Sequence, residues 1–233
     1  MSPQGDYLAG NFGIVREQKA KALMTEALKT WKATGAAIRP VPGNDLAVYG
    51  GDEPQPGAVK LQLAYRDLPR GTVERPSTAD VQNPYNLGWF DLSAEEAKAF
   101  LADSSKPTLI PKRLFEKLAR SKLKDAVRGQ MSGWSATALQ GGSLSTQRIS
   151  KNAKESTFRL TGSVDLQEDD RHYQAQLHGK VVYDHRSKTI LTFDLVASGQ
   201  RTGKGGANGR ETDNGPAPMG IAFTLFPTPS ASQ

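Results

Sequence analysis

The chain has 233 residues, no cysteine and a formal net charge of +6, with 37% hydrophobic and 23% charged residues. That is the composition of a soluble globular chain, long enough for one large domain or two small ones. It excludes disulfides, thiolate metal sites, iron–sulfur clusters and cysteine nucleophiles, and no apolar stretch approaches the roughly 20 residues that span a bilayer.

Residues 1–13 are a polar, glycine-bearing lead-in without the charged and apolar regions of a secretory leader. An exported chain that has lost its leader begins in the same way, so a periplasmic or secreted location and a cytoplasmic one both stay open. From Ile14 to Thr34, the residues Ala20, Leu23, Met24, Ala27, Leu28 and Trp31 make one apolar stripe at helical spacing, and Gly35 stops it. Met24 and Trp31 read as core packing rather than ligand contacts. Residues 39–57 carry Pro40, Pro42, Pro54 and Pro56 and read as a loop with a short strand at Leu46–Tyr49. Val59, Leu61, Leu63 and Tyr65 alternate as a strand, and residues 67–84 form another connection with three prolines.

Ser93 and Glu96 make a capping box that opens a helix to about Leu101, which accounts for both residues without catalysis. Pro111 opens a longer helix to about Arg128, with Leu114, Phe115, Leu118, Ala119, Ala126 and Val127 as its apolar face and Gly129 as its stop. This helix also concentrates Lys112, Arg113, Lys117, Arg120, Lys122 and Lys124. Such a set is a candidate anion-binding face for a weak, non-specific anionic surface or polymer. A solvated helix face has the same composition, and the aromatic residues of a nucleic-acid platform are missing.

Beyond Trp134 the chain turns into a β-region. Phe158, Leu160, Val164 and Leu166 fall on one face of a strand over 157–166, and Tyr173, Ala175, Leu177, Val181 and Tyr183 on one face of a strand over 172–183. Leu191, Phe193, Leu195 and Ala197 do so over 191–199, and Met219, Ile221, Phe223 and Leu225 over 219–225. Period-two alternation in successive segments predicts an antiparallel sheet with one dry and one wet face. Gly162, Gly179 and Gly199 share the dry parity, which predicts a bend where they lie close together. Residues 203–218 are glycine-rich and read as a flexible excursion; the spacing from Gly199 to Lys204 does not make a phosphate loop, and a strand follows where a helix is needed. The residues after Phe226 read as a disordered tail.

His172, His178 and His185 do not converge as metal ligands: the first two stand about 20 Å apart on an extended strand, so no metal site is expected. No cofactor signature is present either. Arg159, His178 and Asp194 lie on the wet face, where a curled sheet would bring His178 and Asp194 together as an acid–base pair. On an open face the same residues are simply solvated. No Gly-x-Ser-x-Gly elbow, His-Glu-x-x-His helix or glycosidase-like carboxylate pair accompanies them.

The segments Gly10–Gly13, Asn83–Phe90, Gly179–Asp184, Phe193–Gly199 and Pro218–Phe223 resemble a group of uncharacterised bacterial proteins, often exported, with a C-terminal β-meander. The resemblance rests on structural motifs and implies an extracytoplasmic location but no activity. The expectation is an α+β fold in a single domain over residues 1–226, helix-rich to 130 and β-rich beyond. Its curved antiparallel sheet, mainly from the C-terminal half, packs against two or three amphipathic helices, those near 14–34 and 111–128 foremost. The expected function is a non-enzymatic extracytoplasmic binding or scaffold module of unknown ligand. The alternative is a hydrolase-like enzyme working on the polar face of the sheet.

Overall fold

The computed structural model describes residues 17–34, 57–70, 85–129, 131–205 and 207–226. The chain divides into two compact units, Met1–Glu53 and Pro54–Gln233. Within the first, helix α1 spans Glu17–Thr34, close to the expected limits, and its Met24 and Leu28 are exposed. The predicted strand at 46–49, the side chain of Trp31 and the tail at 227–233 lie outside the described residues.

Among the described residues the second unit is one eight-stranded antiparallel sheet, open at both edges, with two helices. Its strands are β1 (Val59–Asp67), β2 (Tyr85–Leu92), β3 (Thr108–Leu109), β4 (Leu139–Lys151), β5 (Glu155–Glu168), β6 (Arg171–Asp184), β7 (Thr189–Thr202) and β8 (Ala217–Leu225). The order is β2-β1-β8-β7-β6-β5-β4-β3. Strands β4 to β8 are thus a continuous meander, and the β1–β2 hairpin is added beside the last strand. The alternation read from the sequence is the alternation seen: Phe158, Leu160, Val164 and Leu166 on β5, Tyr173, Ala175, Leu177 and Val181 on β6, and Met219, Ile221 and Phe223 on β8 are all buried on one face.

Leu191 departs from its expected place. The ladder pairs Val182 with Thr192 but Tyr183 with Ile190, so Leu191 sits in a bulge. It is 52% exposed, and Ile190 turns to the core instead. β2 follows the 67–84 connection, in a stretch to which the sequence pattern assigns no element; it pairs with β1 over its whole length, and Asn86 Nδ2 donates to the Ala126 carbonyl at 2.8 Å.

Helix α2 (Ala94–Lys98) begins at the expected reciprocal cap, with Ser93 N donating to Glu96 Oε2 and Glu96 N to Ser93 Oγ. Helix α3 (Lys112–Lys122) buries Leu114, Phe115, Leu118 and Ala119 in the common core, each large side chain contributing about 1.5–3 kcal/mol. It stops a turn and a half short of the expected Arg128. The Leu123 carbonyl accepts the Trp134 indole N–H at 2.7 Å, and Asp125 is buried to meet a guanidinium, so Ala126 and Val127 reach the core from irregular backbone.

Gly162, Gly179 and Gly199 lie on the adjacent strands β5, β6 and β7: Gly162 faces Leu177, Gly199 faces Ala175, and Gly179 follows two residues after Leu177. A Cβ at Gly199 would stand 1.9 Å from the Gln174 carbonyl oxygen, and one at Gly162 2.1 Å from that of Ser143. Neighbouring backbones approach there in a way no side chain permits.

Candidate functional site

At one end of the sheet the dry face carries charge. The residues next in parity after Tyr65 on β1 and after Ala197 and Gly199 on β7 are Asp67 and Arg201. Arg201 is 1% exposed and Arg210, from the β7–β8 excursion, is 0% exposed. The Arg210 fork is doubly bidentate: Nη2 and Nη1 donate to Asp67 Oδ1 and Oδ2 at 2.7 and 2.9 Å, and Nε and Nη2 to Asp125 Oδ2 and Oδ1 at 2.7 and 2.9 Å. Arg201 Nη2 donates to Asp213 Oδ2 at 2.7 Å and its Nη1 to the Gly215 carbonyl at 3.2 Å. Arg128 Nη2 stands 2.9 Å from both Asp67 and Asp213, and Arg70 closes the outer side by pairing with Asp213.

These contacts set the ionisation of the network. The Arg70 hydrogen bond, with help from Arg201, brings the Asp213 carboxyl down to about 2 against the pull of burial. Burial pushes Asp67 upward, but the hydrogen bonds and charges of Arg210 and Arg128 outweigh it and hold it below the usual carboxylate range. Burial alone would lower Arg210, yet Asp125 and Asp67 raise it above its ordinary value. One donor is left over: Arg201 Nε has no acceptor within hydrogen-bonding distance among the described residues, and Asp125 Oδ2 is 3.9 Å away. A buried unsatisfied donor costs about 1–3 kcal/mol.

The excursion read from the sequence as a flexible surface loop is therefore anchored. Besides Arg210 it buries Asn208, whose Oδ1 accepts from Gly205 N at 3.0 Å. Its glycines mark contact rather than looseness. Gly203 has φ +88°, and a Cβ there would stand 2.2 Å from the Asp170 carbonyl oxygen in the β5–β6 turn.

Between that turn, the excursion and the segment after α3 lies a cleft of about 370 Å³, walled by Met131, Asp169, Asp170, Arg171, Lys204 and Ala207 among others. Behind it is a chamber of about 10 Å³, which shares Met131 and Arg171 as walls and is also lined by Trp134, His172, Thr202, Asn208 and Arg201. That volume suits a single water molecule. Arg171 is fixed in the shared wall. Its guanidinium stands 4.8 Å from the Trp134 ring centroid, and its Nη2 pairs with Glu168. Glu168 in turn accepts from Ser135 N at 3.1 Å; the Ser135 side chain first, then this backbone N–H and the Arg171 charge, hold its carboxyl below the ordinary value against the pull of burial. Tyr173, under the chamber, donates weakly to the carbonyls of Ala197 and Met219, and burial, aided by the Asp125 charge, drives its phenol upward, so it stays protonated.

The residues singled out from the sequence lie elsewhere. Arg159, Lys180 and Asp194 are in register across β5, β6 and β7, so Lys180 separates Arg159 from Asp194. His178 is exposed and faces Thr161 and Val196, not Asp194. All three stand on the face opposite the core, and neither the cleft nor the chamber includes them. His172 Nε2 lies 2.8 Å from Asp165 Oδ1, and His185 Nε2 3.1 Å from Ser156 Oγ. Among the described residues no group of three His, Cys, Asp or Glu side chains is placed to hold a metal.

The six basic residues of the α3 region divide. Lys117 Nζ is 2.8 Å from both carboxylate oxygens of Glu96, and Arg120 Nε donates to the Ser135 carbonyl at 2.8 Å. Lys122 lies 5.8 Å from the Phe90 ring centroid and Lys124 donates to the Met131 carbonyl, and burial lowers the ammonium of both. Lys112 and Arg113 point outward, Lys112 only 3.8 Å from Glu116.

Sequence reasoning missed Arg201, Arg210, Asp67, Asp125 and Asp213. A signal existed for two of them: the alternation on β1 and β7, carried one step past its last apolar residue, places Asp67 and Arg201 on the dry face. Nothing local marks Arg210 or Asp213, whose burial depends on chain far away. The chain matches no protein-family model, no curated protein and no solved structure, so the functional reading stands on this geometry.

Proposed function

We propose that this protein is a non-enzymatic binding module that works outside the cytoplasm and takes its ligand in the cleft between the β5–β6 turn and the β7–β8 excursion. One observation carries this reading. The cleft is assembled from three segments distant in sequence, near Met131, at 169–171, and at Lys204, Gly205 and Ala207, and the buried network behind it ties the excursion in place. A site whose frame is already ordered binds without first ordering loops, which is what a receptor for a small molecule needs. The groups behind the cleft are committed to one another as ion pairs, and a paired carboxylate or guanidinium is poorly placed to move protons. The export suggested by the sequence resemblance fits a cysteine-free chain that carries its internal cross-links as salt bridges.

The test is a small-molecule fragment screen by heteronuclear NMR on the whole chain. Hits are expected to shift resonances of Met131, Arg171 and Lys204, with no hit consumed. Turnover of an ester, amide or glycoside panel that disappears in His178→Ala or Asp194→Asn would replace this reading with an enzyme on the outer face. Fractionation of the source cells, read with an antibody against the chain, tests the location: a purely cytosolic signal would remove that part.

A further inference from the structure

We propose that the cleft selects a free basic amino acid, held by its carboxylate at Lys204 and Arg171 and by its amino groups at Asp169 and Asp170. This inference rests on the binding-module reading and names the ligand class for the same cleft. Asp169, Asp170 and Lys204 are exposed and have no ion-pair partner among the described residues, whereas Arg171 is balanced by Glu168. The unpaired groups around the cleft are therefore two carboxylates and one ammonium, one negative charge in excess. A ligand of matching charge carries one carboxylate and two cationic groups, which describes lysine, ornithine or arginine as free amino acids. The cleft volume of about 370 Å³ admits a molecule of that size, with Met131 and Ala207 offering apolar surface to its methylene stem.

The second observation comes from behind the cleft. Arg201, 1% exposed, lines the one-water chamber and holds a donor without an acceptor among the described residues. Arg171 stands in the wall common to chamber and cleft, and it spends only Nη2 on Glu168. A ligand carboxylate against Arg171 adds an acceptor at this wall. One bridging water then passes that acceptor on to Arg201 Nε. The carboxylate end of the ligand thus belongs on the side of Arg171 and Lys204, and the amino groups face the turn.

Isothermal titration of the whole chain with L-lysine, cadaverine, L-norleucine and sulfate tests this. L-Lysine is expected to bind most tightly; cadaverine lacks the carboxylate and norleucine the second amine, and each should lose about tenfold, the worth of one charged hydrogen bond. Lys204→Gln should weaken L-lysine about tenfold while leaving cadaverine within about twofold, and the Asp169→Asn/Asp170→Asn double variant should weaken both. All three side chains are exposed, so an unchanged melting curve certifies the fold of each variant. Equal binding of cadaverine and L-lysine, or an L-lysine affinity indifferent to Lys204→Gln, would overturn the assignment. Should sulfate or an unrelated fragment occupy the cleft while L-lysine does not, the ligand class falls and the binding-module reading stands. Should no probe perturb the cleft at all, both fall.

Discussion

The outer face of β5–β7 and the end of the same strands hold similar side chains in opposite circumstances. On the outer face Arg159, Lys180 and Asp194 form a row across three strands, the first two exposed and Asp194 half-buried. At the end, Arg201 and Arg210 are enclosed with Asp67, Asp125 and Asp213. Exposed charges on a sheet are worth at most about 1 kcal/mol per pair, because water competes for them. Enclosed ones must be satisfied or they destabilise strongly. The first region therefore tolerates change and the second does not, and only the second imposes a fixed geometry on the chain around it. A site that needs definite geometry is better sought beside the enclosed charges than on the open row.

Removing one enclosed partner is the harshest test. Arg210→Met leaves Asp67 and Asp125 without their bidentate donor, and we expect a loss of about 3–5 kcal/mol in urea unfolding. His178→Ala on the outer face should stay within about 0.5 kcal/mol. A small loss at Arg210 would mean that the network is not closed. A further variant, Arg210→Met with Asp125→Leu, should recover part of the loss by removing one stranded carboxylate, whereas additive losses would assign the damage to packing.

Legibility from sequence follows the same division. Where a residue's surroundings are its own strand, the alternation predicts them: Phe193, Leu195 and Ala197 are buried where the period-two pattern places them. It fails at Leu191, where a bulge shifts the parity by one residue and nothing in the side chain announces it. The Ser93–Glu96 cap is local and was readable; the end of α3 was not, because Trp134 and Arg210, both remote, decide it. In the excursion, composition suggested looseness, since glycines that permit close approach look the same as glycines that permit motion. Arg210 is separated by 85 positions from Asp125 and 143 from Asp67, and no spacing rule spans such distances.

The glycines sharpen the comparison from the backbone side. Gly199→Ala directs a methyl group into the Gln174 carbonyl, 1.9 Å from the ideal Cβ, and the strand must shift. A destabilisation of about 1–3 kcal/mol is expected, as for other overpacked positions. Gly141, whose Cβ meets nothing within 4 Å, should accept alanine without loss and serves as the control. Equal costs at the two positions would remove close approach as the reason for glycine at 199.

Acid should find the enclosed end before the outer face. Asp213 is held near 2, below its unfolded value of about 3.9. A depressed carboxylate contributes stability that is fully present above the unfolded value and lost as pH falls through the folded one. Asp67 is displaced in the same direction. The urea midpoint should therefore drop between about pH 4 and pH 2, and Asp213→Asn should start lower near neutrality and fall less across that window. Parallel curves for the two proteins would show that Asp213 is not linked to folding.

The smallest effect belongs to the two basic residues of α3 that point outward. Lys117, Arg120, Lys122 and Lys124 are occupied with Glu96, backbone carbonyls or the Phe90 ring, and releasing them to meet a polyanion forfeits those contacts. Arg113 faces outward at no such cost, and Lys112 gives up only its exposed 3.8 Å pairing with Glu116. Binding of heparin or duplex DNA should then be weak and carry a logarithmic salt slope of about 2 or less, since each phosphate contact contributes about 0.9. Lys112→Gln with Arg113→Gln should abolish the slope and leave the melting temperature unchanged, because exposed charges contribute little to folding. A slope near 3.5 that survives this double variant would mean that the other four cations leave their internal partners to meet the polymer, at about 0.9 for each contact. The basic residues of α3 would then form a polyanion-binding surface, in spite of their contacts with the protein itself.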